Sequence, residues 1–497
     1  MKSPVARPST AALLLLFGVT GLARTAAAFD VGEGVLALDR LSRGLPVGCE
    51  RELIEVAIGG PMIRRISVPN GADTVENGPF FAPLPVTVSF SGDGRKLAYD
   101  SRLVGLVPGD TNGEGFGSGD DVFVRDLDAR ATARVSTSGS GEQGDRESNY
   151  PVLSRDGRYV AFQSLAANLS DLDDVGTDIF VKRVDGADPT LGAVELVSQT
   201  TDGVPSDFEA TNPAISEGGC FIVFQSPSDS LRTLPTIGKP RQIYLRDRCA
   251  SPIPTTEMLT VSFNGENAGF SQSTDARVNA DGRFVVFGST AFNLVENDPD
   301  SGTSNVFLWD RNLDVPENKL AIISLDHNGD PVAGSHPWIS ADGRFVTFVS
   351  GANGVVPDDD NFRDDVFLRD REMGTTERVS VGSGGVQGDD GSALFWHAPV
   401  SDDGRYVAFH SDATNLVADD DNNNTDVYVR DRKRNLTARV DTDLEGRAPG
   451  LGAAQPALSP DGCLVAFPSL DNDLTEDDTQ TAWDYFVAVN PLFTLRD

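Results

Sequence analysis

One short phrase recurs seven times along this chain. In its clearest copy, residues 151–164, it runs Pro-Val-Leu-Ser-Arg-Asp-Gly-Arg-Tyr-Val-Ala-Phe-Gln-Ser. Its turn glycine recurs at spacings of 63, 62, 63, 61, 61 and 58 residues. A fixed period of this length predicts a solenoid or a propeller. The seven glycines are Gly94, Gly157, Gly219, Gly282, Gly343, Gly404 and Gly462.

Each repeat contains the signals of four short strands. A strand ends at Ser154, an Asp-Gly turn follows, and an alternating run begins at Tyr159; together these predict a tight hairpin. A third strand follows an acidic loop, as in 365–370, and a fourth comes next, as in 376–380. Four antiparallel strands per repeat make one propeller blade. The chain is therefore predicted to be an all-β, seven-bladed propeller of four-stranded antiparallel blades.

The last repeat, which begins at Pro456, lacks an obvious fourth strand. Residues 64–68, Arg-Arg-Ile-Ser-Val, resemble the fourth strands of other repeats, such as 377–381. We predict that this N-terminal strand pairs into the last blade, because ring closure leaves no open sheet edge. The propeller is then expected to span 63–490, with a lead-in segment at 29–62 and a tail at 491–497.

Residues 1–28 have the features of a secretory signal. Lys2 and Arg7 precede an apolar run at 11–23, and the three alanines at 26–28 offer a small-residue cleavage site. A retained N-terminal anchor is the alternative, and no other stretch has the ~18 apolar residues that a membrane span needs. We therefore expect an exported protein, periplasmic or extracellular, without a membrane span.

The net charge of the chain limits the classes of partner that it can bind. The formal net charge is −34, and loss of Lys2, Arg7 and Arg24 with the signal would make it −37. Such a surface repels nucleic acid and anionic membranes. A protein or glycan ligand is favoured instead, and we expect the chain to be a monomer.

The repeated phrase, followed by a strand such as Asp-Val-Phe-Leu-Arg-Asp at 365–370, resembles the WD40-like repeat of the TolB family and its relatives. The resemblance covers roughly residues 60–490 and implies the propeller fold. It says little about function, since such propellers serve as binding platforms, peptidase gates and enzymes. Residues 29–60 are too short for the N-terminal α/β domain of TolB, and no Gly-x-Ser-x-Gly elbow supports a hydrolase domain.

Carboxylates cluster between the second and third strands of six repeats. Alternating Asp and Asn positions can turn several oxygens toward one centre, as Ca²⁺ requires. The alternative is that these short side chains bond their own backbone in turns. The third repeat has Lys239 and Arg241 in this loop and is not expected to bind metal. The candidate Ca²⁺ ligands are Asp110, Asn112, Asp171, Asp173, Asp358, Asp360, Asp419, Asp421 and Asn423.

A second set of polar residues recurs four positions before the Ser, or Asn279, that ends the first strand of each repeat. Because this strand starts at the mouth of the central channel, we expect the set to surround that mouth, and all of its members except Thr87 to bind ligand there. A water-filled channel that needs a polar rim is the alternative. The set is Thr87, Tyr150, Asn212, Asp275, His336, His397 and Gln455.

Two of the four histidines, His336 and His397, fall in this set beside Asp275. Such an arc can hold a transition metal or perform acid–base work. Trp338 and Trp396 nearby either stack on a ligand or wedge blades together. Two functions follow: an exported binding or scaffold propeller, or a propeller hydrolase or lyase. Binding is favoured because only this arc departs from the repeat, and no catalytic residue is assigned.

The four cysteines are expected to be paired in an exported protein. Cys220 and Cys463 both replace the Arg that follows the turn glycine, so we expect equivalent partners. Antiparallel pairing brings Cys249, after the third strand, beside Cys220. The partner of Cys463 would be Cys49, ahead of the closing strand. The predicted bridges are Cys220–Cys249 and Cys49–Cys463, and four buried thiols are the alternative.

Overall fold

Seven antiparallel sheets follow one another along the chain, one for each repeat, and are numbered here as blades 1 to 7. The computed structural model describes residues 63–68, 87–103, 105–110, 119–171, 176–186, 188–235, 238–266, 268–296, 303–313, 319–394, 396–476 and 483–493. All of them fall within one unit, Ile63–Phe493. The predicted signal at 1–28 and lead-in at 29–62 lie outside the described residues. In the described part of the chain, no helix has the length and apolar content to cross a bilayer.

The blades share one strand order, which is an inner strand, two central strands and an outer strand, and blade 6 has no named inner strand. The inner strands are β2 (Val88–Phe90), β6 (Ser148–Leu153), β10 (Thr211–Ile215), β14 (Ser273–Val278), β18 (Ser335–Ile339) and β25 (Ala457–Leu458). The second strands are β3 (Lys96–Ser101), β7 (Tyr159–Ser164), β11 (Phe221–Ser226), β15 (Phe284–Ser289), β19 (Phe345–Ser350), β22 (Tyr406–Ser411) and β26 (Leu464–Ser469). The third strands are β4 (Asp121–Asp126), β8 (Asp178–Arg183), β12 (Gln242–Asp247), β16 (Asn305–Asp310), β20 (Asp365–Asp370), β23 (Asp426–Asp431) and β27 (Asp484–Val489). The outer strands are β5 (Ala131–Arg134), β9 (Val194–Leu196), β13 (Thr255–Met258), β17 (Leu320–Ile322), β21 (Thr375–Arg378), β24 (Leu436–Arg439) and β1 (Ile63–Arg65).

A pair of aromatic side chains joins the two central strands of each blade. Phe287 and Phe307 lie directly opposite each other in the ladder, with ring centroids 5.8 Å apart. Such pairs contribute ~0.5–1.5 kcal/mol beyond the burial of their surface. The Phe of the repeated phrase is therefore the centre of each blade's core. The other six pairs are Tyr99–Phe123, Phe162–Phe180, Phe224–Tyr244, Phe348–Phe367, Phe409–Tyr428 and Phe467–Phe486.

The turn glycine of the phrase has two physical roles. Gly282 and Gly404 have φ of +71° and +70°, a conformation that L side chains rarely adopt. A Cβ on Gly282 would also overlap the ring of Phe221, which begins the second strand of the preceding blade. Gly404 meets Phe345 in the same way. The glycine therefore recurs because it makes the turn and lets neighbouring blades approach.

The N-terminal strand closes the ring in blade 7, which confirms the predicted closure. β1 pairs antiparallel with β27, with Ile63 opposite Ala488. The fully buried side chains of Arg65 and Asp484 form an ion pair, with Nη1 3.2 Å from Oδ2, and Ser67 donates a hydrogen bond to the same carboxylate. The sheet of the last blade is therefore completed by a strand from the other end of the chain.

The predicted bridge between Cys220 and Cys249 is confirmed, with a Cα–Cα distance of 5.2 Å. It joins the second and third strands of blade 3. Blade 4 joins the same two strands by an ion pair, with Arg283 Nη2 2.8 Å from Asp310 Oδ2. Cys463 is also disulfide-bonded. Its predicted partner, Cys49, lies outside the described residues, and that pairing stays a prediction.

Blade 6 departs from the predicted four strands. Its named strands number three, and the segment in the inner position joins the second strand only through isolated bridges, such as Val400 opposite Val407. The reason is a three-residue insertion, 394–396, relative to the inner strand of blade 2. The described residues of this insertion, Leu394 and Trp396, belong to no named strand, and the regular ladder beside the channel is interrupted there.

Candidate functional site

The axial channel is lined by three successive rings, each with one residue per blade. The first ring is the set predicted from the sequence, and six of its seven members line a cavity of about 300 Å³ at the channel mouth. A smaller cavity of about 130 Å³ lies deeper along the channel. The second ring, two residues further along each inner strand, is Ser89, Val152, Ala214, Arg277, Trp338, Pro399 and Ala457. The third ring, in the following turns, is Gly92, Arg155, Glu217, Ala280, Ala341, Asp402 and Pro460, and all of these except Gly92 line the deeper cavity.

The first ring is built on an unusual backbone. Five members have φ between +50° and +58°, which is rare outside glycine. Around Tyr150, Asn212, Asp275 and His336 the inner ladder shifts register, as between Asn149 and Val152, and such bulges re-aim side chains. Strained conformations concentrate at functional sites. The five are Tyr150, Asn212, Asp275, His336 and Gln455.

The strained backbone is held by the preceding blade. The Asn212 amide donates to Gln163 Oε1 at 3.0 Å. In the next blade the Asp275 amide donates to Gln225 Oε1 at 3.1 Å. Both glutamines lie on second strands and are almost fully buried. Hydrogen bonds within the protein therefore hold these mouth residues in position without a ligand.

Four of the predicted site residues form an arc on one side of the mouth. Asp275 is at its centre: Asn212 Nδ2 donates to its Oδ1 at 3.4 Å, and His336 Nδ1 lies 3.7 Å from its Oδ2. The rings of His336 and His397 have centroids 6.0 Å apart. His336 does not line the cavity itself but lies beside two residues that do.

Both imidazoles of the arc are neutral near pH 7. Burial lowers the pKa of His336 despite the nearby Asp275 carboxylate, and burial holds the pKa of His397 well below its usual value. His397 Nδ1 lies 2.9 Å from the Pro337 carbonyl oxygen, so this nitrogen donates and Nε2 is left as an acceptor. Within the described residues, no group of three or more His, Cys, Asp or Glu side chains is placed to hold a metal ion.

Sequence reasoning missed Arg277 as a site residue, and it did not place Trp338 beside it. They are the two large side chains of the second ring, and the Arg277 guanidinium lies 5.5 Å from the centroid of the Trp338 ring, within the range of a cation–π contact. Burial lowers the pKa of Arg277 to about 10, so it stays protonated near neutral pH. Aligning the repeats offers the missing signal, because Arg277 is the one charge at a position otherwise small or apolar.

The three-residue insertion of blade 6 adds a further aromatic wall. Trp396, its last residue, lines the mouth cavity together with Trp338 and His397. The rings of Trp338 and His397 have centroids 6.1 Å apart. The mouth residues that differ from the repeat pattern therefore lie on the side formed by blades 4 to 6.

The acidic loops place the predicted Ca²⁺ ligands differently from one another. Asp358, Asp360, Asp419, Asp421 and Asn423 are exposed, as is Asp171. The side chain of Asp110 is buried, 3.3 Å from Arg134. Asn112 and Asp173 lie outside the described residues.

The acidic residues between the exposed ones turn inward. Asp359 lies 3.3 Å from Arg378, and Asp420 lies 3.7 Å from Arg439; each Arg ends the outer strand of its blade. Some of the acidic residues therefore form buried ion pairs inside the blades. In blade 3, Asp229 instead pairs with Lys239 at 2.6 Å. Ca²⁺ binding by the exposed loop positions stays a prediction.

Seven blades built on the repeated phrase, closed by an N-terminal strand, make the fold of the described residues a β-propeller. TolB from Acinetobacter baumannii is similar in fold, with 13% identity over 75% of this chain and 77% of that one and a TM-score of 0.37. The β-propeller domain of the trilobed protease from Pyrococcus furiosus has 11% identity over 83% of this chain and 98% of that one, with a TM-score of 0.47.

The acylaminoacyl peptidase of Pyrococcus horikoshii is also similar in fold, with 9% identity over 77% of this chain and 48% of that one and a TM-score of 0.45. No protein-family model and no curated protein matches the chain. Identities this low concern the fold alone, so the function has to be argued from the site.

Proposed function

We propose that this chain is an exported propeller that binds a protein or glycan ligand at the channel mouth. The observation that carries the proposal is the cavity of about 300 Å³, whose lining departs from the repeat on the side of blades 4 to 6. In a repeat protein, side chains that serve only the fold recur with the repeat. Arg277 and the insertion that carries Trp396 do not recur.

The chemistry of the mouth suits such a ligand. Tyr150 lines the cavity, and none of the hydrogen bonds among the described residues uses its hydroxyl. His397 Nε2 is left as an acceptor, and Trp338 and Trp396 offer aromatic surface. Pockets that combine apolar surface with a few fixed polar groups are typical of ligand sites.

A propeller hydrolase or lyase is the second candidate, and the contact between Asp275 and His336 favours it. A neutral imidazole 3.7 Å from a carboxylate can act as a general base once a ligand aligns it. Binding is the stronger proposal, because the Asp275 carboxylate already accepts hydrogen bonds from Asn212 and Thr274. These hydrogen bonds give Asp275 a structural role in the arc.

Export and Ca²⁺ belong to the same proposal. The disulfide between Cys220 and Cys249 is typical of proteins outside the cytoplasm. Ca²⁺ in the exposed parts of the acidic loops would offset the repulsion between their carboxylates. Its role would be structural, because these loops lie in the connections between second and third strands and not in the channel.

A cavity-filling variant tests the proposal. Thr87 lines the mouth, so Thr87→Trp should fill it, whereas Val386→Trp places the same side chain at an exposed position in a loop of blade 5. The immobilised proteins are incubated with native envelope extract and medium, and retained peptides and glycans are identified by mass spectrometry. We expect species held by the wild type and Val386→Trp to be lost from Thr87→Trp. Retention of the same species by Thr87→Trp, or no retention by the wild type, would contradict the proposal.

A further inference from the structure

Arg277 breaks the pattern of the second ring. The equivalent residues of blades 2, 3 and 7 are Val152, Ala214 and Ala457, which need no partner in the channel. A guanidinium at this position requires side chains or a ligand to replace the water that it loses. It lies between the mouth cavity and the deeper one and lines both.

The hydrogen-bonding capacity of Arg277 is mostly unused. A guanidinium has five N–H donors, and among the described residues its hydrogen bonding is one bond from Nη1 to the Ala276 carbonyl oxygen at 2.9 Å. No carboxylate of the described residues forms an ion pair with it. The remaining donors suit a bidentate acceptor, and a carboxylate has that geometry.

Asp275, the acidic residue nearest in sequence, is engaged elsewhere. Its Oδ1 accepts from Asn212 at 3.4 Å, and its Oδ2 accepts from Thr274 at 3.1 Å. His336 Nδ1 lies 3.7 Å from Oδ2 of the same carboxylate. The Asp275 charge lowers the cost of burying Arg277 through space, but it leaves the N–H groups of the guanidinium open toward the cavity.

Trp338 defines the shape of the ligand beside that charge. Its ring contacts Arg277 on one side and His397 on another, and it lines the mouth cavity with Tyr150. Flat aromatic walls select flat or ring-shaped ligands. A benzene-sized molecule occupies a cavity of roughly 150 Å³, so a cavity of about 300 Å³ accepts one ring with a substituent.

We infer that the channel mouth selects a ligand ring that bears a carboxylate, with Arg277 binding the carboxylate and Trp338 packing on the ring. The inference rests on the proposed function and names the ligand chemistry of that site. The same chemistry occurs in an aromatic acid and in a uronic-acid residue of a glycan. The two sources differ in the ring, which is aromatic in one and hydroxyl-bearing in the other.

Matched acid and amide probes test the inference by calorimetric titration. Benzoate is compared with benzamide, and glucuronate with glucuronamide, because each pair differs in charge and hardly in shape. We expect at least one acid to bind the wild type about tenfold more tightly than its amide, since a bidentate charged contact is worth at least ~1.5 kcal/mol. The pair that shows the preference identifies the ring.

Variants of Arg277 assign the preference to this residue. Arg277→Met should abolish the acid preference, Arg277→Lys should retain part of it, and Arg344→Met, in a turn outside the mouth, should leave it unchanged. Melting temperatures report whether each variant folds. If Arg277→Met does not fold, Arg277→Lys and Trp338→Leu provide the comparison, and both should weaken binding of the acid.

Three outcomes would overturn the inference: equal binding of acid and amide, an acid preference that survives in Arg277→Met, and no binding of either pair. None of them would overturn the proposed function, which depends on whether Thr87→Trp loses the ligand that the wild type captures. Loss of that capture difference would overturn the proposed function, whatever the probes show.

Discussion

The side chains of Arg155 in blade 2 and Asp402 in blade 6 form an ion pair, with Nη1 2.8 Å from Oδ1, although their blades are not neighbours. Both residues belong to the third ring and line the deeper cavity. Gly92 of blade 1 leaves room for the crossing, because a Cβ there would overlap the Arg155 side chain. The pair therefore spans the narrow end of the channel, opposite the mouth.

Opening this pair should admit small solutes from the narrow end. In Arg155→Ala, we expect acrylamide to quench Trp338 more strongly, because Trp338 lines the deeper cavity. The loss of stability should be about 1 kcal/mol or less, since both side chains are partly exposed. The added quenching should disappear when Trp338→Phe is combined with Arg155→Ala. Unchanged quenching in the single variant would show that the pair does not close the channel.

Blade 6 has a carboxylate where the other blades have a hydroxyl. In blade 5, Ser380 donates to Asp365 Oδ1 at 2.6 Å. Asp441 is the equivalent residue in blade 6, and it cannot donate to Asp426 when ionised. Burial raises the pKa of Asp426 to about 6 and raises that of Asp441 well above its ordinary value. The hydroxyl residues of the other six blades are Ser67, Ser136, Ser198, Thr260, Ser324 and Ser380.

The pH dependence of stability should reflect this carboxylate. Since folding raises the pKa, these groups support the fold at about pH 4, and that contribution is lost as pH rises through 6 and above. Asp441→Ser should therefore raise the melting temperature at pH 8 and change it little at pH 4. Arg439 and Asn422 contact the Asp426 carboxylate, and Tyr428 donates a hydrogen bond to the neighbouring Asp420. All of these residues are unchanged in the variant.

The reverse substitution in blade 5, Ser380→Asp, places a carboxylate next to Asp365. It should create the same pH dependence of the melting temperature. Melting curves of wild type and both variants from pH 4 to pH 8 measure the effect. A parallel pH profile for wild type and Asp441→Ser would mean that Asp441 does not carry the excess charge.

The closing strand should depend on its buried ion pair. Asp484→Ala leaves Arg65 buried without the carboxylate that it meets at 3.2 Å, and breaking such a pair costs ~3–5 kcal/mol. Arg283→Ala breaks a more exposed pair and should cost ~1 kcal/mol or less. Urea unfolding compares the two. Equal losses would contradict the part assigned to Asp484 in ring closure.

The disulfides give a separate test of the blade alignment. Cys220→Ala with Cys249→Ala should lower the free energy of unfolding by ~3–4 kcal/mol, since the bridge closes a loop of 29 residues. Non-reducing peptide mapping should also find Cys49 joined to Cys463. A free Cys49, or Cys49 in any other bridge, would mean that blades 3 and 7 are not equivalent at these positions.

The fold follows from the sequence because its signals repeat. Gly282 and Phe287 of the phrase have counterparts with the same physical roles in the other blades, and seven copies make those roles visible against the variable residues. The partner of Cys220 was predictable for the same reason, since antiparallel register places Cys249 beside it. Blade 6 was the exception, because a three-residue insertion interrupts the period at the channel.

Only the site residues that recur with the repeat could be predicted from the sequence. The positions of Asp275, His336 and His397 at the mouth follow from their offset within the repeat. Arg277 lies outside that periodic pattern, because its equivalents in the other blades are small or apolar. The inward turn of Asp359 and Asp420 depends on an Arg of the outer strand, a contact between distant segments that composition does not reveal.

The face of the propeller that receives ligand tests the whole account most directly. A photoreactive benzoylphenylalanine is placed either at Trp396, where it replaces a large aromatic side chain that lines the mouth, or at Met373, an exposed residue in the turn between the third and fourth strands of blade 5, on the opposite face. Each protein is irradiated in its native envelope or medium, and adducts are identified by mass spectrometry. We predict a defined adduct at position 396 and none at 373. A defined adduct at 373 with none at 396 would contradict the claim that ligand binds at the channel mouth.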